Sequence, residues 1–259
     1  MKILVTNDDG ILSEGLWALV RELKNIARVT VVAPDREQSA IGTAVSLRQP
    51  LRIQKVKPVV PRVEAYSVDG TPSDSVILAL GKLVRGKVDM VVSGINHGFN
   101  LGEDVHISGT VSAALQGYLR GLPTLAISAP FGNEPSLDIA ARVVAILVKK
   151  IASTPLPTKI FLNVNLPDLP LAEIAGAKIT RLARESHLNT VEEGNHGGQK
   201  YYRLVRQRLS GATDNGTDIW AVEQGNISIT PLYFNHADKP PRHILDSLCA
   251  DLLQELRNG

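Results

Sequence analysis

The chain opens with an alternation of apolar runs and amphipathic stretches, and this alternation limits the fold more than any other feature. Residues 2–6 (KILVT) and 28–34 (RVTVVAP) are apolar runs of strand length, and residues 14–26 between them carry leucines and valine at helical spacing. A strand, a helix and a second strand in this order form a βαβ unit, which pairs its strands in parallel through a right-handed crossover. The opening therefore predicts a parallel sheet with helices packed on it.

The alternation continues to about residue 167. Three further amphipathic stretches predict helices at residues 73–84, 108–121 and 136–152. Between and around them lie extended or apolar segments, which predict strands at residues 45–56, 63–70, 88–96, 123–129 and 159–167. Strands that alternate with helices are typical of a three-layer α/β fold, so we predict a mostly parallel, Rossmann-like sheet.

Beyond about residue 170 the pattern changes. The segments KITRLAR (178–184), KYYRLVRQ (200–207) and NISITPL (226–232) are strand-like and are separated by polar, glycine-containing loops. Residues 242–257 then show the spacing of a terminal helix. We therefore predict an α/β core over residues 1–170 and a small β-rich extension with a terminal helix over residues 171–259.

Composition excludes several classes of protein. The formal net charge is only +2, so we expect no nucleic-acid polymer among the partners. The single cysteine, Cys249, rules out an internal disulfide framework and a cysteine zinc cluster. No apolar run reaches the length of about 18 residues that a membrane span needs, and the first strand begins too early to leave room for a signal peptide. We therefore expect a cytoplasmic protein that does not enter a membrane.

Three predicted strand ends carry side chains with oxygen atoms. Asp8 and Asp9 follow the first strand, Ser39 lies shortly after the second, and Asn96 lies at the end of the strand at 88–96. In open α/β sheets ligands bind beyond the carboxyl ends of the strands, so these side chains are expected to meet at one edge. This convergence of oxygen atoms predicts a ligand site there.

The adjacent aspartates have two interpretations. An Asp-Asp pair after a strand is also typical of a turn before a helix N-terminus, where acidic residues favour the helix dipole. Two crowded carboxylates, however, resist joint ionisation unless a cation neutralises them. A donor set made only of oxygen suits Mg²⁺ or Mn²⁺ better than zinc.

A glycine-rich loop at residues 93–107 leads into the predicted helix at 108–121. Ser108, Gly109 and Thr110 lie where that helix begins, and free backbone N–H groups make such a position an anion site. The alternative is that Ser108 is a plain N-cap, as we also expect for Ser73 in the turn sequence VDGTPSDSV. The sequence contains neither a P-loop nor a G-x-G-x-x-G motif after the first strand.

Six strings together resemble the SurE survival-protein family, whose members are divalent-metal-dependent nucleotidases. They occur in order as LVTNDDGI (4–11), VDGTPSD (68–74), SGINHGFNLGEDV (93–105), SGTVSAAL (108–115), NVNLP (163–167) and TDIWAVEQGNISITPL (217–232). The resemblance is strong from residue 1 to about 167 and again at 217–232, and it is thin between residues 175 and 201.

The resemblance implies which residues form the metal site, the phosphate site and the catalytic pair. The metal ligands for one Mg²⁺ or Mn²⁺ per subunit would be Asp8, Asp9, Ser39 and Asn96. The substrate phosphate would be bound by Asn96, Asn100, Ser108, Gly109 and Thr110. Asp8 and Asp9 would be the catalytic residues, with Asp9 a candidate proton acceptor. Residues 1–170 would form the catalytic core, and residues 171–259 would exchange between subunits of a homodimer or homotetramer.

The activity implied is that of a 5′-nucleotidase, a phosphoric monoester hydrolase that converts nucleoside monophosphates to nucleoside and phosphate. Action on 3′-monophosphates and short polyphosphate is a further expectation. One alternative is a metal-dependent protein that binds or senses nucleotides without turnover. Another is a phosphatase with an aspartyl nucleophile, although such enzymes usually separate their two acids by one residue. His97 and His106 flank the glycine-rich loop and are left outside the catalytic set, because loop histidines are more often merely solvated.

Overall fold

A computed structural model of the chain describes residues 1–130, 134–155, 159–184, 187–197, 199–208, 214–233, 242–250 and 252–258. The first half of the described chain contains β1 (Lys2–Thr6), α1 (Glu14–Leu23), β2 (Arg28–Pro34), β3 (Ile53–Lys55), β4 (Glu64–Val68), α2 (Pro72–Leu78), β5 (Met90–His97) and α3 (Gly109–Leu119). The second half contains β6 (Thr124–Ala129), α4 (Glu134–Ser153), β7 (Phe161–Asn165), β8 (Gly176–Ile179), β9 (His187–His196), β10 (Gln199–Arg208), α5 (Asp218–Glu223), β11 (Asn226–Pro231), α6 (Arg242–Cys249) and α7 (Leu252–Asn258).

Nine of these strands form one sheet in the order β3-β4-β2-β1-β5-β6-β7-β11-β8. The pairs that join β4, β2, β1, β5, β6 and β7 are all parallel. From β1 the chain winds outward through β2 and β4 in one direction and through β5, β6 and β7 in the other. The strand order therefore reverses between β1 and β5, which is the position where open α/β sheets bind ligands. The predicted mostly parallel α/β sheet is confirmed.

The sheet is covered by helices on both faces. In β1, Ile3 and Val5 pack into the core with α1 and α4, whereas Leu4 points to the opposite face and packs with α2. This alternation is the period of a strand buried on both faces, as the apolar run in the sequence predicts. Of the helices in the described ranges, none is both long and apolar enough to span a membrane.

The helix α2 begins earlier than the sequence analysis predicts. Thr71, rather than Ser73, is its N-cap: the Thr71 hydroxyl accepts a hydrogen bond from the Asp74 backbone N–H at 3.0 Å, and the Asp74 carboxylate accepts one from the Thr71 N–H at 3.0 Å. This reciprocal capping box places Pro72 in the first turn, where its missing N–H costs nothing. Ser73 is thus a buried residue inside the helix, and the N-cap expected there is wrong.

The C-terminal part divides between the main sheet and a separate hairpin. β11 pairs antiparallel with β7 and parallel with β8, so the central sheet continues past residue 170. β9 and β10 form a two-stranded antiparallel hairpin outside that sheet, while α6 and α7 pack against α4 and β8. The small β-rich part and the terminal helices agree with the predicted fold class. The division into units at residue 170 stays a prediction.

Candidate functional site

The acidic pair lies at the switch point between β1 and β5. The buried carboxylate of Asp8 accepts a hydrogen bond from the Thr110 hydroxyl, and the Asp8 backbone carbonyl accepts one from the Gln38 N–H at 2.8 Å. The Asp9 carboxylate accepts a hydrogen bond from the His97 backbone N–H. The pair therefore contacts the loop after β2, the end of β5 and the start of α3.

The pair carries more negative charge than its surroundings neutralise. Burial raises the pKa of Asp8, and burial together with the neighbouring Asp8 raises the pKa of Asp9 to about 7. The Glu37 carboxylate raises both values further. Within the described part of the chain, Asp9 Oδ2 and Asn7 Oδ1 are buried without a hydrogen-bond partner. Orphaned oxygen atoms beside two crowded carboxylates fit a hard divalent cation, because such an ion would satisfy both the charge and the lone pairs.

The other two predicted metal ligands lie on the loops that reach this pair. Ser39 is exposed and its hydroxyl donates to Glu37 Oε1 at 2.6 Å, one residue beyond the Gln38 contact to Asp8. Asn96 is half-buried at the end of β5, and its Nδ2 donates to the Gly98 carbonyl at 2.9 Å, which leaves Oδ1 outside that bond. Among the residues that the structure describes, no cluster of three or more His, Cys, Asp or Glu side chains is placed to hold a metal. A cation here would thus depend on hydroxyl and amide oxygen atoms.

The start of α3 packs directly against Asp8. A Cβ atom added at Gly109 would lie 2.7 Å from Asp8 Cβ and 2.9 Å from Asp8 Oδ2, so only glycine permits this approach. Thr110 donates both its hydroxyl and its backbone N–H to the Asp8 carboxylate. Ser108 is the N-cap of α3, and its hydroxyl accepts from the Val111 N–H at 3.1 Å.

Thr110 and Ser108, two of the predicted phosphate ligands at the helix start, differ in whether they still have a hydrogen-bond donor for an anion. Both donors of Thr110 are engaged by Asp8, so Thr110 orients the carboxylate in this structure. Ser108 caps the helix through an oxygen lone pair, and its hydroxyl proton can still be donated to an anion. The two interpretations of Ser108, N-cap and anion ligand, are therefore compatible. The positive end of the α3 dipole adds to the attraction of this position for an anion.

Asn100 is the centre of a buried amide network. Its backbone N–H donates to Asn165 Oδ1 at 2.9 Å, its Nδ2 donates to Ser128 Oγ at 2.8 Å, and its carbonyl accepts from Asn163 Nδ2 at 2.7 Å. The structure therefore makes Asn100 an anchor of the glycine-rich loop. The sequence analysis did not single out Asn163 and Asn165, although two asparagines at alternate positions of a buried strand indicate polar partners on one face.

A cavity of about 810 Å³ lies beside the first turns of α3. Its lining includes Thr43, His106 (two residues before the N-cap Ser108) and Val111, Ser112 and Leu115 of α3. Its remaining wall is mostly apolar and comes from β8, the end of β11 and α6, with the cationic side chains Arg181 and Arg242. The volume lies within the range of small-molecule sites in proteins, which is about 300–1,000 Å³.

A doubly wound α/β sheet with a carboxylate pair and a helix start at its switch point is typical of the Rossmann-like class of ligand-binding proteins. Residues 3–189 match the sequence model of the family described as Survival protein SurE. The chain belongs to the SurE survival-protein family, as its sequence motifs predict.

Relatives with full-length similarity support this membership. The chain is 55% identical over 259 residues to a protein named 5′-nucleotidase SurE from Dehalococcoides mccartyi, with 99% of this chain and 98% of that protein covered. It is 43% identical over 237 residues to a protein of the same name from Geobacter metallireducens, with 91% and 92% covered. The crystal structure of the Sure protein from Aquifex aeolicus superposes with a TM-score of 0.78 at 35% identity and covers 98% of this chain and 100% of that chain.

Proposed function

We propose that this chain is a metal-dependent 5′-nucleotidase that hydrolyses nucleoside 5′-monophosphates to nucleoside and phosphate. The observation that carries the proposal is the Asp8–Asp9 pair at the start of α3, in which Asp8 is buried and Asp9 is half-buried with one oxygen that no described group satisfies. The full-length relatives named 5′-nucleotidase SurE support the nucleotidase activity. The orphaned oxygen of Asp9 supports the metal dependence.

The residues that would hold one Mg²⁺ or Mn²⁺ are Asp8, Asp9, Ser39 and Asn96. When bound, such a cation polarises the phosphoryl group and lowers the pKa of a coordinated water. Asp8 is fixed by Thr110, so its orientation does not depend on the ligand. Asp9 is half-buried and less closely held than Asp8, and it is our candidate to accept the proton of the attacking water.

The start of α3 would bind the phosphate. Phosphoryl transfer spreads negative charge over the three outer oxygen atoms, so catalysis depends on donors that are already in place. The Ser108 hydroxyl and the positive end of the α3 dipole meet this need, next to the carboxylate pair. Asn100 supports the site by anchoring the glycine-rich loop. Because its Nδ2 already donates to Ser128 Oγ, only part of its side-chain amide remains for an anion.

The nucleoside would occupy the cavity beside α3. Ser108 and Leu115 lie two turns apart on α3, so a nucleotide with its phosphate at Ser108 can extend its base along the helix toward Leu115. The apolar wall suits a base, and the polar side chains of His106 and Thr43 in the lining could contact the ribose.

We expect Leu115→Trp to raise KM for AMP by at least about 10-fold, because the larger side chain occupies the part of the cavity where the base would bind. Hydrolysis of a small phosphomonoester such as methyl phosphate should change less than threefold. Leu119→Trp is the matched control, since Leu119 lies one turn further along α3 and is exposed. Equal effects on both substrates, with the oligomeric state unchanged, would argue against this place for the nucleoside.

Removal of the metal tests the activity itself. We expect phosphate release from AMP with Mn²⁺ or Mg²⁺ and its loss in excess EDTA, with recovery when the cation is restored. A panel of 5′- and 3′-monophosphates and short polyphosphate, run with the same cations, measures the breadth of the substrates. Binding of AMP by the metal-loaded protein without phosphate release would instead favour the alternative of a nucleotide-binding protein without turnover.

We also propose that the C-terminal part joins subunits in a homodimer or homotetramer. The β9–β10 hairpin supports this idea, because it exposes Val191, Tyr202 and Leu204 by 62%, 66% and 84% although they are apolar or aromatic. The cytoplasmic location inferred from the sequence stays a prediction.

A further inference from the structure

Asp218 is a fully buried carboxylate far from the acidic pair in sequence. It is the first residue of α5, and it accepts hydrogen bonds from three backbone N–H groups. Oδ2 accepts from Gly102 at 2.7 Å, while Oδ1 accepts from Ala183 and Ile219, each at 2.9 Å. One side chain thus joins α5, the segment after β8 and the glycine-rich loop.

The N-cap of α5 is Thr217, whose hydroxyl accepts from the Trp220 N–H at 3.3 Å. A carboxylate withdrawn from water is costly unless hydrogen bonds replace its hydration, and burial raises the pKa of Asp218 despite its three donors. Besides the bond from Ile219 of its own helix, the Asp218 carboxylate adds connections to Ala183 and Gly102.

The hydrogen bond between Asp218 and Gly102 links α5 to the loop that leads to Ser108, the proposed phosphate ligand. Gly102, at a φ of +54°, begins the single 3₁₀ turn Gly102–His106, and the Ser108 N–H then donates to the Asp104 carbonyl at 3.0 Å. The amide network of Asn100 anchors the loop just before this turn. Asp218 holds the next part of the loop through the Gly102 N–H, and Leu101 packs against Ile219 and Val222 of α5.

We infer that Asp218 is a positioning residue for the phosphate site, which it controls by fixing Gly102 and through it the N-cap of α3. The inference rests on the proposed function in that it treats Ser108 as a phosphate ligand. It makes the C-terminal part of the chain a contributor to the active site as well as to assembly. Asp218 touches no reacting atom in this account and acts only through the loop.

The test compares Asp218→Asn with Thr217→Ala in the full-length, metal-loaded protein. The amide cannot accept from all three N–H groups, so the tether to Gly102 weakens. Thr217→Ala removes the hydroxyl that caps the same helix and leaves the carboxylate in place. For Asp218→Asn we expect the inhibition constant of inorganic phosphate to rise by at least about 10-fold and kcat/KM for AMP to fall by about 10- to 100-fold. The Mn²⁺ concentration for half-maximal activity should stay within about threefold, since the metal loops are not touched.

Thr217→Ala should also lower Tm, because it removes the N-cap of α5, with phosphate inhibition unchanged. Wild-type phosphate inhibition in a folded Asp218→Asn protein would overturn the inference, and so would an equal loss in Thr217→Ala. If Asp218→Asn does not fold, Asp218→Ser, which keeps one acceptor at the helix start, replaces it with the same expected and contrary results. Titration of inorganic phosphate into the Mg²⁺-loaded protein by calorimetry needs no turnover. Its outcome therefore remains informative even if the wild-type protein releases no phosphate from AMP, a result that would reject the proposed function alone.

Discussion

Asp8→Asn is expected to lower kcat/KM for AMP with saturating Mn²⁺ by at least about 10³-fold, a loss of about 4 kcal/mol of transition-state stabilisation. The substitution removes a charged oxygen ligand from the proposed cation site and replaces the acceptor of the Thr110 hydrogen bonds. The fold should survive, because burial already opposes the charge on Asp8 and a neutral amide of the same shape avoids that cost. Steady-state kinetics and thermal unfolding with and without Mn²⁺ measure both effects.

The matched control is Asp35→Asn, which alters an exposed aspartate just after β2 that pairs only with its neighbour Arg36 among the described groups. It should keep wild-type kinetics within about twofold, as surface substitutions usually do. Mn²⁺ should raise the Tm of the wild-type and Asp35→Asn proteins but not that of Asp8→Asn, since an ion that binds only the folded state stabilises it. A metal-saturated Asp8→Asn enzyme with near-normal turnover would rule out the proposed site.

Gly109→Ala has the second-largest expected effect, because it inserts a methyl group where α3 meets the acidic pair. The added Cβ would lie 2.7 Å from Asp8 Cβ and 3.1 Å from the Pro72 ring, so either α3 or Asp8 has to move. A displacement of about 1 Å at a catalytic group can cost about 10²-fold in rate, and we expect kcat/KM to fall by at least that factor. Overpacking should also lower the free energy of unfolding by about 1–3 kcal/mol.

Gly81→Ala provides the control for adding a methyl group to a helical glycine. Gly81 lies in the short π-helical turn Ala79–Leu83, and a Cβ there meets nothing within 4 Å. Its kinetics should match wild type, and its stability should be equal or higher because alanine reduces the freedom of the unfolded chain. If Gly109→Ala retained wild-type kinetics, the close approach of α3 to Asp8 would have no role in catalysis.

Part of this site could be anticipated from residue types and strand ends. Asp8 and Asp9 lie at the switch point because an apolar run of five residues ends immediately before Asn7, and the βαβ pattern requires parallel pairing. Ser108 caps α3 as the helix-start pattern predicts. The N-cap of α2 was misplaced by two residues, because Thr71 with Asp74 forms a capping box that competes successfully with Ser73.

Other features depend on contacts between distant segments, which no local pattern contains. Thr110 bonds Asp8, 102 residues away, and Asp218 bonds Gly102 across 116 residues. Hydrogen-bonding capacity is a property of each residue, but the choice of partner follows from which loops the sheet order brings together. The sequence shows that Asn163 and Asn165 are polar residues in an apolar strand. It does not show that Asn100 is their hydrogen-bond partner.

Apolar periodicity and ordered motifs are local properties of the chain, so the alternation of elements, the parallel sheet and the family could be predicted from them. The sequence also predicts oxygen-bearing side chains after β1 and β2 and at the end of β5, where the structure has them. The use of those side chains follows from contacts between distant segments: Thr110 and Asn100, predicted to bind phosphate, are engaged in orienting Asp8 and anchoring the loop. A buried polar group must find a partner, and the packing of the whole sheet sets which partner is within reach.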